Sequence, residues 1–129
     1  MEAIKIDDVM TSHPVTIRAD LPIWKAWKLM RENGYRHLPV LNKGQLIGIV
    51  SDRDLRRVSN SLSSDSIDVL EAMTEEPFCV DAGTPLTSVL DEMLQHKYGA
   101  ALIVDEERRP LGIFTALDAI EFLYKRLKV

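Results

Sequence analysis

The apolar positions of residues 21–58 change period in a set order. Ile23, Trp27 and Met30, with Trp24 alongside, recur at i, i+4 and i+7, which is one face of a helix. Asp20 and Pro22 stand where such a helix starts, and Gly34 where its C-cap glycine belongs. The runs at 38–41 and 46–50 are short and mostly apolar, so they predict strands, the second buried on both faces. Asn42-Lys43-Gly44 between them is a turn. An extended segment at 14–17 precedes the helix, and another helix runs from 52 to about 58. The order is β-α-β-β-α.

The same order then returns. Residues 78–80 are extended, and 85–95 form a helix with Leu86, Val89, Leu90 and Met93 on one side. Strands follow at 101–104 and 111–114. The last helix runs from 116 to about 127, with Ile120, Leu123, Tyr124 and Leu127 at helical spacing. Lys125, Arg126 and Lys128 near its end suit the helix dipole. Residues 4–10 read as a lead-in turn or helix, and the serine-rich 59–65 as a linker. Met10 and Met73 stand 63 residues apart, whereas Gly48 and Gly112 stand 64 apart. One residue has therefore been inserted, and the turn between the two strands is where a chain tolerates it. Two units of this size bury too little alone, so they should share a core as an α/β (α+β) fold.

Composition narrows the classes. A chain of 129 residues with 46% hydrophobic content is an ordinary globular domain. No apolar run approaches the ~18 residues of a membrane span, and residues 1–5 lack a signal-peptide pattern. Cys79 is the single cysteine, so no disulfide framework exists within one chain, and a cytoplasmic setting is expected. No His or acidic pair has zinc-ligand spacing. The net charge of −4 argues against nucleic acid as a partner, although Arg53, Arg56 and Arg57 make a local basic cluster.

The repeat also carries candidate chemistry. Gly48 to Asp54 and Gly112 to Asp118 each run glycine, two apolar residues, a hydroxyl residue and, three positions on, an aspartate. Ser51 with Asp54, and Thr115 with Asp118, are capping boxes at strand-to-helix junctions. That structural role is sufficient by itself. The same geometry also suits a ligand: unsatisfied N–H groups at a helix start attract anions, and an aspartate one turn in accepts the hydroxyls of a ribose. Its duplication at matching places strengthens the ligand interpretation.

The chain resembles a tandem pair of CBS domains, modules named for cystathionine β-synthase. The resemblance is carried by Val9-Met10-Thr11, residues 14–17, 35–40 and 48–54, and in the second half by Ala72-Met73-Thr74, 98–104 and 112–118. It implies modules at 8–60 and 71–127, with a linker and lead-in helix at 61–70, packed with pseudo-twofold symmetry. It implies binding of AMP, ADP, ATP or an S-adenosylmethionine-like ligand in clefts between modules, without catalysis, and homodimers forming a disc of four modules. The first cleft would use Ser51, Asp54, Arg53, Arg36 and His37, with Met73, Phe78 and Tyr98 from the opposite module. The second would use Thr115, Asp118, Leu117, Gly99 and Ala100, with Met10, Val15 and Tyr35. Three cationic or titratable side chains in the first cleft face Gly99, Ala100 and Leu117 in the second, so a phosphorylated ligand should prefer the first.

Blander roles stand beside these. His37 suits a packed strand residue as well as a phosphate contact, and His13 and His96 are surface positions. Arg56 and Arg57 cover a solvated helix face. Asp52 and Asp54 would hold magnesium only together with a nucleotide. Trp24 and Trp27 straddle the helix, and an exposed Trp24 would mark a dimer face. Cys79 is expected to be buried and inert. The competing function is a structural or dimerisation module without a physiological ligand. An enzyme lacks a positioned nucleophile and base.

Overall fold

A computed structural model of the chain describes residues 3–59 and 67–128. After a 3-10 turn at Ile6–Asp8 the elements are β1 (Thr11–Ser12), β2 (Ile17–Arg18), α1 (Ile23–Asn33), β3 (His37–Asn42), β4 (Gln45–Ser51) and α2 (Asp52–Ser59). Then come α3 (Val69–Ala72), β5 (Thr74–Glu75), β6 (Cys79–Asp81), α4 (Leu86–His96), β7 (Ala100–Val104), β8 (Pro110–Thr115) and α5 (Ala116–Leu127). The expected linker at 61–70 lies largely outside the described residues, and the short helix follows at Val69–Ala72.

The chain divides into two compact units that do not coincide with the sequence repeat. One comprises 15–77, the other 1–14 together with 78–129. Each has one four-stranded sheet of the same topology, β2-β3-β4-β5 or β6-β7-β8-β1. The first pair in each is parallel, with Ile17 opposite Val40 and Cys79 opposite Leu102, and the other pairs are antiparallel. The fourth strand is an arm from the other sequence copy. β5 adds to β4, with Gly48 opposite Glu75, and β1 adds to β8, with Gly112 opposite Ser12. A residue with positive φ follows each arm, His13 at 52° and Glu76 at 51°.

The two glycines make this addition possible. A Cβ on Gly48 would lie 2.8 Å from the Thr74 carbonyl oxygen and against Met73 Sδ. A Cβ on Gly112 would lie 3.0 Å from the Thr11 carbonyl oxygen and against Met10 Sδ. Glycine within a strand marks just such a close approach. The arms also bring core residues. Ile67, Val69 and Ala72 join Ile23, Ala26, Met30, Leu38 and Leu55 in one cluster. Ile6 joins Val89, Ala101, Ile103 and Phe114 in the other.

Local signals act as the sequence suggests. Pro22 precedes α1, and Gly34 ends it in the left-handed region at φ 71°, its N–H donating to the Met30 carbonyl. The β3–β4 turn takes positive φ at Lys43 and Gly44, the requirement of a two-residue hairpin. The β7–β8 turn is longer, and Asp105 closes it by accepting from the Glu107 and Arg109 N–H groups at 2.9 Å each and from Arg109 Nε at 2.9 Å. These donors, the Arg109 amide first, hold its carboxyl below the usual carboxylate range against the opposing effect of desolvation. The inserted residue belongs to this turn, since Val40 pairs with Gly48 and Ile103 with Gly112.

One expectation needs correction. Cys79 is half-buried and not fully buried. Burial still pushes its thiol above the ordinary value, with Arg108 opposing the shift. The stripe on α5 faces outward: Ile120, Leu123, Tyr124 and Leu127 are all exposed, and the helix is held instead by Ala119 and Phe122. Helical spacing identifies a face but not which face is inside. Trp24 is exposed and Trp27 packs against the core.

Two outcomes are expected. Gly48→Ala and Gly112→Ala each lower stability by about 1–3 kcal/mol in chemical denaturation, the cost of overpacking. A loss under about 0.5 kcal/mol would be that of an ordinary surface position and would contradict the tight approach of the arms. A raised thiol pKa leaves less thiolate near neutrality, so iodoacetamide should label Cys79 at pH 8 several-fold more slowly in the native than in the unfolded protein, by mass spectrometry.

Candidate functional site

Each unit ends its central hairpin at a strand-to-helix junction, and both junctions are built alike. In the 15–77 unit, Asp54 N–H donates to Ser51 Oγ at 3.1 Å, and Ser51 N–H donates to Asp54 Oδ2 at 2.9 Å. In the other unit, Asp118 N–H donates to Thr115 Oγ1 at 3.2 Å, and Thr115 N–H donates to Asp118 Oδ2 at 2.8 Å. The reciprocal capping box is therefore present twice. In each box the aspartate's Oδ2 takes the cap bond.

The neighbouring strand delivers the rest of each set. His37 lies opposite Ser51 across β3 and β4, and Ala100 opposite Thr115 across β7 and β8. The Asp52 N–H donates to the Arg36 carbonyl at 3.0 Å, and the Ala116 N–H to that of Gly99 at 2.9 Å. Pairing of the two strands thus brings Arg36, His37, Ser51, Arg53 and Asp54 to one junction, and Gly99, Ala100, Thr115, Leu117 and Asp118 to the other.

The two methionines sort differently from the sequence expectation, whereas Phe78, Tyr98, Val15 and Tyr35 fall in the units expected of them. Met73 belongs to the same unit as Ser51, and Met10 to the same unit as Thr115, because each rides on the arm that joins that sheet. Phe78 and Tyr98 belong to the unit of Thr115, and Val15 and Tyr35 to that of Ser51. Phe78 and Tyr98 stack with ring centroids 4.9 Å apart, and His96 stacks on Tyr98 at 5.2 Å while its Nε2 lies 3.2 Å from Glu92. His96 is exposed at the helix end, as its position suggests, with its ring against Tyr98.

Arg57 is the residue that sequence reasoning set aside. It lies on a solvated face, as expected, and its Nη2 is 3.4 Å from Asp54 Oδ1, the oxygen not used in the cap. Asp54 itself is 8% exposed, the one buried charged residue among those described. The signal was the i, i+3 spacing of Asp54 and Arg57. Arg56 likewise reaches Asp52, at 2.6 Å. Each of the two carboxylates, Asp52 and Asp54, is thus turned to its own arginine.

At the matching place on α5 stands Glu121, whose partner is Lys125 at 2.9 Å. A depression of about 340 Å³ opens there, lined by Asp8, Thr11, Asp118, Glu121, Phe122 and Lys125 among others. Asp8 and Thr11 were absent from the expected set, and they arrive because the first arm runs beside α5. One junction is thus fringed by Arg36, Arg53 and Arg57, the other by Asp8 and the Glu121–Lys125 pair. Among the described residues no group of three His, Cys, Asp or Glu side chains is arranged for a metal ion. No helix there is long and apolar enough to cross a membrane.

Known proteins share this construction. A Vibrio cholerae protein provisionally named as an acetoin utilization protein, AcuB, matches with a TM-score of 0.88 and 29% identity, covering 98% of this chain and 95% of that one. CBSX2, solved in complex with AMP, matches with a TM-score of 0.82 and 25% identity, covering 95% of this chain and 98% of that one. Among curated relatives, the L-aspartate semialdehyde sulfurtransferase of Methanocaldococcus jannaschii is 25% identical over 114 residues, which are 88% of this chain. The chain spans about a quarter of the length of the curated relatives it matches first, 22%, 26% and 23%. The CBS domain family matches residues 6–61 and again 67–125. With the duplicated junction, the two like sheets and this double match, the chain belongs to the CBS domain family, as a tandem pair.

Proposed function

We propose that the chain is a regulatory module that binds an adenosine-containing ligand, without catalysis, and signals through a homodimer to a protein partner. The duplicated junction carries this reading: a hydroxyl, a helix start and an aspartate converge twice, with different charges around them. Phosphate is attracted by the free N–H groups of a helix start and by arginine, and a carboxylate accepts from ribose hydroxyls. The AMP complex of CBSX2, a relative that this chain covers almost completely, supports the ligand class.

The two junctions divide the work. Ser51, Asp54, Arg36, His37 and Arg53 hold a phosphorylated ligand such as AMP, ADP or ATP, with magnesium present only on the nucleotide. Thr115 and Asp118, beside Asp8 and the Glu121–Lys125 pair, attract phosphate less than the arginine-fringed junction does and take an uncharged or cationic adenosine derivative, the S-adenosylmethionine class included. Arg57 stands against Asp54 Oδ1, so it moves aside when a ribose takes that oxygen. A ligand shifts shape only by its differential affinity for two states, and that exchange of partners at Asp54 supplies one.

Thermal shift and calorimetric titration with AMP, ADP, ATP, adenosine and S-adenosylmethionine test the reading. AMP at 100 times its Kd should add about 2.7 kcal/mol of stability. No stabilisation by any of them at millimolar concentration would leave a dimerisation module without a ligand. Asp54→Ala should lower AMP affinity at least about tenfold, the worth of a charged hydrogen bond, and Asp118→Ala much less. Equal losses would overturn the division of labour. Arg53→Gln and Arg36→Gln should weaken AMP and leave adenosine binding unchanged; equal weakening of both would remove these arginines from the phosphate.

A further inference from the structure

The methionines among the described residues are of two kinds. Met30 and Met93 are core residues, 4% and 6% exposed. Met10 and Met73 are only partly buried, and each packs at the border of one core. These two stand at matching places in the repeat, immediately before the arms Thr11–Ser12 and Thr74–Glu75 that complete the two sheets.

Both thioethers are seated in the same way. Gly48 and Gly112 have no Cβ, and the methionine takes that space. A Cβ there would meet Met73 Cγ at 3.1 Å or Met10 Cγ at 2.9 Å, with the sulfur nearer still. The backbone of each methionine is held on both sides. The Met10 N–H donates to the Ile6 carbonyl and the Met73 N–H to the Val69 carbonyl, at 2.9 Å each. Ile6 and Val69 are fully buried. The next residue already belongs to the ladder, Thr11 opposite Ile113 and Thr74 opposite Ile49. The side chain therefore sits between a buried anchor, a glycine and the arm.

Oxidation would change this contact and few others in the protein. A thioether is apolar and adaptable, which suits an irregular gap. A sulfoxide is polar and chiral, and such a change disrupts packed sites. Its oxygen is an acceptor. On the glycine side it meets the Thr74 or Thr11 carbonyl oxygen, acceptor against acceptor, where even a Cβ would be too close. Turned the other way, the side chain swings toward water and leaves the glycine uncovered. Met30 and Met93, buried in the cores, are shielded from an oxidant in water.

We propose that Met10 and Met73 are a paired, reversible oxidation site, at which hydrogen peroxide unseats the two arms. The peroxide O–O bond breaks and an S–O bond forms at Sδ. Sulfur is oxidised by two electrons, and the peroxide is reduced to water. Methionine sulfoxide reductases reverse the step, one enzyme for each sulfoxide epimer. While oxidised, each arm holds its sheet less firmly, and the core residues attached to it lose their fixed place.

The test uses the full chain with Cys79→Ser, so that the thiol does not compete for oxidant. Peptide mass spectrometry follows each methionine during peroxide treatment, and urea denaturation follows stability. Met10 and Met73 should oxidise several-fold faster than Met30 and Met93, and the urea midpoint should fall as they do. Treatment with both reductases should restore the midpoint. Met10→Leu combined with Met73→Leu, a swap of similar volume that packed sites tolerate, should keep its midpoint under the same peroxide. Oxidation of all four methionines at one rate overturns the site. An unchanged midpoint with Met10 and Met73 fully oxidised overturns the unseating of the arms, as does an equal fall in the double leucine variant. No recovery with both reductases overturns its reversibility.

Discussion

Both units depend on a short arm returning to a sheet built by a different part of the chain. Two backbone strands come together over glycine because any Cβ at Gly48 or Gly112 would meet the carbonyl of the arm. The arms are only two residues of strand each, so their hydrogen bonds alone are a small contribution. Their weight comes from what is attached to them. Ile6 on one side, and Ile67, Val69 and Ala72 on the other, are buried in cores made mostly of distant residues. Remove the glycine and the arm loses its seat; remove the arm and each core loses a wall.

The junctions inherit their shape from that arrangement. The arm pairs with the hairpin strand two residues before its end, and the hydroxyl and aspartate at that end lock the first helical turn. The capping hydrogen bonds are the same in both units to within a few tenths of an ångström. What differs is what surrounds them: arginines near Asp54, and Asp8 with a Glu121–Lys125 pair near Asp118. One scaffold, kept rigid by local bonds, thus carries two electrostatic environments, and small changes on exposed helix faces suffice to make them differ.

Much of this was legible in the chain. Pro22 and Gly34 mark the limits of α1 because proline and glycine act on backbone angles directly, with no help from tertiary structure. The Ser51–Asp54 and Thr115–Asp118 pairs reveal their caps for the same local reason. The arms were not legible as arms. Two residues of strand have no period, and nothing local says which sheet they join, so Met10 and Met73 were assigned by sequence half. The outward face of α5 was invisible for a related reason, since the spacing of Ile120, Leu123 and Tyr124 fits a core as well as a surface. Arg57 was missed because an exposed arginine on a helix is ordinary until its partner is known to be an almost buried carboxylate.

The exchange of arms also orders events during synthesis. The 15–77 unit draws on one continuous stretch, so all its strands have left the ribosome when β5 emerges. The other unit is split. Thr11 must wait for Ile113, about a hundred residues later, before its sheet can close. Contacts so far apart in sequence form slowly, and until they do Ile6 and its neighbours have no core to enter. The beginning of this chain is therefore among the last parts of it to fold, and it travels through translation as an unclaimed strand.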